Sequence, residues 1–292
     1  VAKIEGKDKN GALAEVCSFD GRYIGKGYIN HLSKILVRVF IRGDETDDEE
    51  FYKNRIAEAA QLRKVLFGKE SDCYRVVFAE ADGLPALIAD RYGDYIVLEP
   101  LSLGIDRRKE LIVNAFVTLF SPKGIYQRGD APVRQKAGLP LENKTLYGEV
   151  PDKIFVTENG LKMCVDVKNG QKTGYFLDQK ENRFAVRRYC RDAKVLDCFC
   201  NSGGFSLNAA TAAKEVTALD ISQFALDNVA ENAKLNGFSN IKTVCADAFE
   251  QLRKFRADGE LFDTVILDPP AFCKSAAEVQ DAYRGYKDVN IT

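Results

Sequence analysis

The sequence predicts an α/β protein: a parallel, doubly wound sheet in its carboxy-terminal part, preceded by a small β-rich segment and a mixed α+β centre. Three observations predict it. From Ala193 onward, short β-branched apolar runs alternate with stretches of helical periodicity. Carboxylates stand at the ends of those runs, at Asp197, Asp220 and Asp268, with Asp247 just past the third. Before Gly43, by contrast, the pattern is one of short strands and turns.

In chain order, Phe19-Asp20-Gly21-Arg22 is a hairpin-type Asp-Gly turn, and Lys34 to Ile41 is a β-branched run. Glu50 to Phe67 becomes helical, with Phe51, Ile56, Ala59, Ala60, Leu62, Val65 and Leu66 on one broad side. Tyr74–Phe78 and Tyr95–Leu98 read as strands, punctuated by Asp82-Gly83-Leu84-Pro85 and Tyr92-Gly93-Asp94. Leu111 to Phe120 is a helix ended by Ser121-Pro122. Then come the strands Lys194–Asp197, Val216–Asp220, Ile241–Cys245 and Thr264–Leu267. Between them lie helices over Phe205–Lys214, after Ser222, and over Ala248–Phe255. Ser222 caps its helix, Leu226, Val229, Ala230 and Ala233 fall on one stripe, and Gly237 sits where it stops.

A length of 292 residues suggests two or three domains. The expected division is residues 1–43, an acidic linker and helix over 44–68, a central α+β domain over 69–170, and the doubly wound domain over 171–292. The first boundary rests on charge. Eight basic and four acidic residues precede Gly43, and Asp44-Glu45-Thr46-Asp47-Asp48-Glu49-Glu50 follows. Overall charge is balanced, 42 basic residues against 43 acidic, so no global polycation advertises nucleic acid. No apolar run is long enough for a transmembrane helix. The eight cysteines lack the spacing of a disulfide framework, so reduced thiols and a cytoplasmic location are expected. The nearby Cys190, Cys198 and Cys200 lack the spacing of a zinc site, and no metal is expected.

In a doubly wound sheet, ligands collect beyond the carboxyl ends of the strands. Gly203 and Gly204 allow close backbone approach there, and Asp220 lies where an acid would accept hydrogen bonds from ribose hydroxyls. Asp247 would accept from an adenine amino group, leaving Asp197 for a ligand's amino-acid end. A dinucleotide would favour Gly-x-Gly-x-x-Gly, and Asp197 would repel its pyrophosphate, so a nucleotide-dependent oxidoreductase is disfavoured. A sulfonium cofactor with an amino-acid tail fits better. After the fourth strand, Pro269 and Pro270 lack N–H donors and leave carbonyls free to face a planar base, on which Phe272 would stack.

Three motifs carry a family resemblance: Gly170-Gln171-Lys172-Thr173-Gly174-Tyr175-Phe176-Leu177-Asp178-Gln179-Lys180-Glu181-Asn182-Arg183, Val195 to Phe205 with Asp197-Cys198-Phe199-Cys200-Asn201-Ser202-Gly203-Gly204, and Asp268-Pro269-Pro270-Ala271-Phe272. With them, the sequence resembles the class I S-adenosylmethionine-dependent, Rossmann-like methyltransferases of large-subunit ribosomal RNA that carry an amino-terminal PUA domain. Gly25-Lys26-Gly27-Tyr28-Ile29-Asn30 resembles the PUA strand-turn. Ala81 to Pro85 and Glu158-Asn159-Gly160 resemble the family's central domain. The resemblance implies S-adenosylmethionine contacts at Asp197, Phe199, Asn201, Gly203, Gly204, Asp220, Ile221, Asp247, Ala248 and Asp268, with Gln179 and Tyr175 closing over it. It implies methylation of cytosine C5 in 23S ribosomal RNA. Pro269, Pro270 and Phe272 would meet the base, and Lys26, Lys34 and Arg38 the RNA phosphates. A second copy of the chain is a further candidate partner.

Carbon-5 of cytosine is a poor nucleophile, and the resemblance implies a cysteine thiolate that attacks carbon-6. That cysteine is expected in a Ser/Thr-Cys-Ser-type motif beyond Thr292, so the chain reads as a fragment at both ends, able to bind cofactor but not to methylate cytosine. Cys273 is the substitute candidate, set against its reading as a small buried hydrophobe. Methylation of a guanine nitrogen, or an RNA-binding protein with a vestigial cofactor fold, are the competing functions.

Overall fold

The Asp20-Gly21 turn closes through the Ser18 N–H on the Arg22 carbonyl (2.8 Å), with Gly21 at a φ of 82°. It joins β1 (Leu13–Cys17) to β2 (Tyr23–Ile29) in an antiparallel pair that adds β3 (Val37–Ile41). Gly27 permits that addition, since a Cβ there would lie 2.4 Å from the Arg38 carbonyl oxygen. The β-branched run expected from Lys34 thus becomes a strand only at Val37; Ser33 to Leu36 form its approach loop. The computed structural model describes residues 3–6, 9–67, 71–273 and 275–291. Lys7 and Asp8 of the charge count, and the expected end-point Thr292, lie outside them.

The acidic run is tied into the fold. Asp48 accepts the Phe51 N–H (3.0 Å) and caps α1 (Glu49–Phe67), whose first turn carries Glu49 and Glu50 beside the positive end of the helix dipole. Asp47 accepts from the Tyr28 and Tyr52 hydroxyls (2.7 and 2.8 Å) and pairs with Arg108. Only the first half of the expected apolar side of α1 is buried, at Phe51, Tyr52, Ile56 and Ala59; Leu62, Val65 and Leu66 stay exposed.

A five-stranded sheet follows in sequential order: β4 (Cys73–Phe78), β5 (Leu87–Tyr92), β6 (Tyr95–Pro100), β7 (Gly124–Gln127) and β8 (Lys144–Gly148). Helices α2 (Leu103–Arg107) and α3 (Lys109–Phe120) make the crossover that lets β6 and β7 pair in parallel, the other neighbours being antiparallel. A short α4 (Val133–Lys136) precedes β8. One hydrophobic core joins Tyr28, Phe40 and Ile41 of the first sheet to Ile56, Val77, Leu98 and Phe116. Residues on both sides of the expected boundary at Gly43 therefore share a core, because the acids beyond it find buried partners.

The chain forms two compact units, residues 1–157 with 165–177, and residues 158–164 with 178–292. The hairpin β9 (Ile154–Glu158) and β10 (Leu161–Val165) turns on Asn159 and Gly160, both at positive φ. In the second unit α5 (Lys180–Val186) leads into β11 (Lys194–Cys198), α6 (Gly204–Ala210), β12 (Glu215–Asp220), α7 (Gln223–Leu235), β13 (Ile241–Cys245), α8 (Ala248–Ala257), β14 (Thr264–Leu267) and α9 (Val279–Ile291). The sheet runs β13-β12-β11-β14, every pair parallel, as the alternation of patterns predicts. Two details differ. Helix α6 stops at Ala210, where the Thr211 hydroxyl turns back onto the Asn208 carbonyl (2.7 Å). On α7, Ala230 is exposed and Asn232 is fully buried in its place.

Candidate cofactor site

Strand register assembles the carboxylates. Cys198 pairs with Leu219 on one side and Leu267 on the other, so Asp220 and Asp268 are each the next residue beyond that pair. Asp197 lies one residue before Cys198. Both Asp220 and Asp268 act electrostatically on Asp197, which is 1% exposed.

Asp197 is the centre of this arrangement. Its Oδ2 accepts from the Ser206 hydroxyl of α6 (2.6 Å), while its buried Oδ1 has no hydrogen-bond partner among the described residues. An orphaned buried carboxylate oxygen is costly unless something cationic or donating meets it. Burial pushes this carboxyl up to about 7, Ser206 opposes that shift, and Asp268 and Asp220 add to it. The flanking thiols are pushed up as well by burial and then by Asp197, Cys198 to about 12.

The loop after β11 is held in a demanding conformation. Phe199 and Asn201 adopt φ of 61° and 49°, a region that non-glycine residues enter at a cost, and Gly203 follows at 82°. The compensating bonds are specific. Asp220 accepts the Asn201 N–H on Oδ2 (3.0 Å) and the Ser222 N–H on Oδ1 (2.9 Å), and the Cys200 N–H donates to the Leu219 carbonyl (3.1 Å). Asn232 of α7 donates to the Ser202 carbonyl (3.1 Å) and accepts the Cys164 N–H (2.7 Å). Gly203 and Gly204 are buried at the start of α6. Each Asp220 oxygen keeps a lone pair for a hydroxyl donor.

At the far strand, Asp247 caps α8 by accepting the Glu250 N–H on Oδ1 (3.1 Å), so that oxygen serves the helix. Ala248 is buried behind it. Ile221, 72% exposed, stands directly after Asp220, an apolar surface beside a polar anchor. Asp268 is exposed at the end of β14, followed by half-buried Pro269 and exposed Pro270.

Phe272 needs correction. It was expected to stack on a base, but its ring lies 4.6 Å from Tyr286 and 5.8 Å from Phe249, centroid to centroid. Its N–H donates to the Tyr286 hydroxyl (3.2 Å). The ring packs α9 against the turn. Cys273 is exposed, its Sγ 3.2 Å from the Ser275 carbonyl.

The Gly170 to Arg183 motif is divided between the units. Arg128 donates to the Val167 and Gly170 carbonyls (3.1 and 2.8 Å), and Thr173 donates to buried Asp90 (2.6 Å). Tyr175 is buried in that first unit, its carbonyl accepting from Tyr92 (3.4 Å). Gln179 is half-buried in the second unit and accepts from Asn182 (2.7 Å). Arg183 makes a buried two-pronged ion pair with Glu158, both contacts 2.7 Å.

Two of the three expected RNA cations are also engaged, which corrects their equivalence. Arg38 pairs with Glu80 (2.9 Å) and Lys26 lies 4.0 Å from Glu15, while Lys34 is exposed without an ion-pair partner among the described residues. Sequence reasoning missed Ser206 and Asn232, whose importance arises only when their elements meet the loop. No group of metal-ligating side chains occurs among the described residues. None of their helices is long and apolar enough to cross a membrane.

The residues present fit S-adenosylmethionine: an unpartnered buried carboxylate oxygen for a cation, and a braced acid for hydroxyls. The PUA-like domain family matches residues 1–42, and the S-adenosylmethionine-dependent methyltransferase family matches residues 133–288. The chain is 41% identical over 297 aligned residues to a ribosomal RNA large subunit methyltransferase I of Aeromonas salmonicida, covering all of this chain and 75% of that protein. It is 40% identical to the protein of that name from Vibrio cholerae, again covering all of this chain and 75% of the relative. A solved structure from Streptococcus mutans, titled as a SAM-dependent methyltransferase, shares the fold with a TM-score of 0.81 at 21% identity, over 98% of this chain and 75% of that one. A structure of SMU.776 complexed with SAH aligns at 0.82 and 21%, over 97% and 75%. With its four strand-end acids, its braced loop and these matches, the chain belongs to the S-adenosylmethionine-dependent methyltransferase family.

Proposed function

We propose that the protein transfers a methyl group from S-adenosylmethionine to a base of ribosomal RNA, with carbon-5 of a 23S cytosine as the target. The observation that carries this reading is identity of about 40% to ribosomal RNA large subunit methyltransferases I over the whole chain, coupled to an intact set of cofactor carboxylates. The reading keeps the cytoplasmic location expected from the thiols.

The roles of the chain's own residues follow from their chemistry. Asp197 meets the cationic amino-acid end, Asp220 the ribose hydroxyls, and Asp247 with Ile221 the adenine. Phe199, Asn201, Gly203 and Gly204 supply the close backbone wall, with Gln179 contributing from the preceding motif; Tyr175, buried in the first unit, is not assigned a cofactor contact. The cofactor supplies an electrophilic methyl group. Asp268, Pro269 and Pro270 present a carboxylate and two carbonyls unobstructed by N–H groups to the exocyclic amine of a base. Methylation at carbon-5 requires a thiolate to add at carbon-6, and Cys273 is the candidate within this sequence.

The test is transfer of a labelled methyl group to purified 23S and 16S RNA, followed by nuclease digestion and mass spectrometry. Label in 5-methylcytidine of 23S RNA alone would bear out the cytosine target and overturn the expectation that these 292 residues bind cofactor without methylating cytosine. Label in a methylguanosine would replace the target, and failure to bind S-adenosylmethionine would leave a vestigial fold. Loss of transfer in Cys273→Ala would assign the nucleophile.

A further inference from the structure

The first unit contains a cavity of about 450 Å³, remote in sequence from the carboxylate cluster. That volume is in the range of small-ligand sites. It opens between the loop joining β2 to β3, the start of α2, and α4. Three large aliphatic side chains on its lining are unusually bare: Leu32, Ile35 and Val133 are 62%, 52% and 45% exposed. Such a cluster is costly to leave in water unless something covers it.

Its charge is one-sided. Lys34, Arg38 and Lys136 line the cavity, and no carboxylate does. Arg38 is held by Glu80, whereas the exposed Lys34 and Lys136 have no ion-pair partner among the described residues. The nearby acid Asp106 is already satisfied by Arg134 and Lys109. The walls are also tied together, since the buried Asn30 amide donates to the Ala137 carbonyl (2.9 Å) and accepts the Leu32 N–H (3.1 Å). An occupant must therefore combine apolar, insertable surface with negative charge close beside it.

We infer that this cavity takes an unpaired nucleotide of the RNA substrate, its base against Leu32, Ile35 and Val133 and its flanking phosphates on Lys34 and Lys136. The inference rests on the ribosomal RNA reading above and adds to it a second contact point, away from methyl transfer. A base held within a duplex cannot enter such a cavity, so the segment bound is single-stranded. The side chains of Leu32, Ile35 and Val133 carry no hydrogen-bonding group, so their contact with a base is sequence-tolerant and serves to hold the RNA.

The test uses the full chain and a labelled, unstructured RNA oligonucleotide, with affinity followed by fluorescence anisotropy across a salt series. Lys34→Glu combined with Lys136→Glu should weaken binding at least ~10-fold and flatten the log–log salt slope by about 1.4, two phosphates at ~0.7 each. Val133→Trp, which fills the cavity, should weaken binding about 10-fold with the slope unchanged, as expected for a lost base contact. S-adenosylmethionine binding, measured by calorimetry, should stay at the wild-type value in both variants and so report intact folding. Wild-type RNA affinity in both variants would overturn the inference while leaving the RNA reading standing. Equal affinity for a fully paired duplex, insensitive to Val133→Trp, would also overturn it. So would a polyglutamate peptide that binds wild type, loses affinity in the lysine variant and leaves RNA binding untouched. If wild-type protein neither binds nor methylates RNA, the ribosomal RNA reading itself falls.

Discussion

The Asp197 carboxyl, raised to about 7 chiefly by burial, couples this residue's proton to both folding and cofactor. Its ordinary value is 3.8. Between those two values the unfolded chain has released the proton and the folded chain keeps it, so the group makes stability fall as pH rises through that window. Below and above the window its contribution is level. In the absence of cofactor, the urea midpoint should therefore drop between about pH 4 and 7 by an amount that Asp197→Asn removes. A cation at the unpartnered Oδ1 favours the ionised form. S-adenosylmethionine should accordingly bind more tightly as pH rises to about 7, releasing a proton below it, which calorimetry in buffers of different ionisation enthalpy detects. Asp220 acts differently, because both its oxygens brace backbone N–H groups of the loop and the next turn. Asp220→Ala should weaken cofactor binding by about 1.5–3 kcal/mol, the range for hydrogen bonds to a charged group. An unchanged dissociation constant would remove Asp220 from the site.

Among the elements, β14 and α5 carry distinct liabilities. Strand β14 pairs with β11 on one side and forms the sheet edge among the described strands, with Val265 48% exposed. An apolar edge strand invites pairing with another chain. Val265→Lys should reduce concentration-dependent light scattering without changing cofactor affinity; equal scattering would show that the edge is already protected. Helix α5 is fastened to the β9–β10 turn through Arg183 and Glu158, whose side chains are 3% and 1% exposed. Removing one side chain breaks both prongs of this ion pair in a dry site. Arg183→Met should cost about 3–5 kcal/mol in urea unfolding, far more than breaking the exposed pair of Lys123 and Asp94. The four strands of the parallel sheet were legible because each depends on a local run and its turn residues, whereas β5, β7, β8, β9 and β10 were not marked as strands and the order within the sheets came from the structure. The unburied end of α1 and the early stop of α6 were not legible, because periodicity marks an apolar side without saying how much of it finds a partner.

For the whole molecule, a net charge of −1 means that RNA affinity has to come from local patches rather than from the global field. Affinity for RNA should fall with salt at a slope set by a small number of phosphate contacts, about 0.7 per contact. Charge reversal at Lys34 should lower that slope more than reversal at Lys26 or Arg38, whose charges already face Glu15 and Glu80. Equal effects at all three would make the ion pairs irrelevant to RNA. The division of the chain into two units, with Glu158–Cys164 in the second and Val165–Leu177 in the first, departs from a simple cut at residue 170 because long-range packing, not composition, decides where a core begins. By itself the sequence determined the parallel sheet, the placing of Asp197, Asp220, Asp247 and Asp268 at its strand ends, and the cofactor class those acids suit. Strand period and turn chemistry are local, so they place each acid at its own strand end, whereas the register that sets Asp220 and Asp268 around Asp197 comes from the pairing of the strands. Only the tertiary structure decided that Ser206 and Asn232 hold the site, that Phe272 packs rather than faces outward, that Lys34 and Lys136 share one cavity, and that one Asp197 oxygen is left bare. Each of these depends on which distant side chains meet and on how much water is excluded when they do, and no local pattern encodes either.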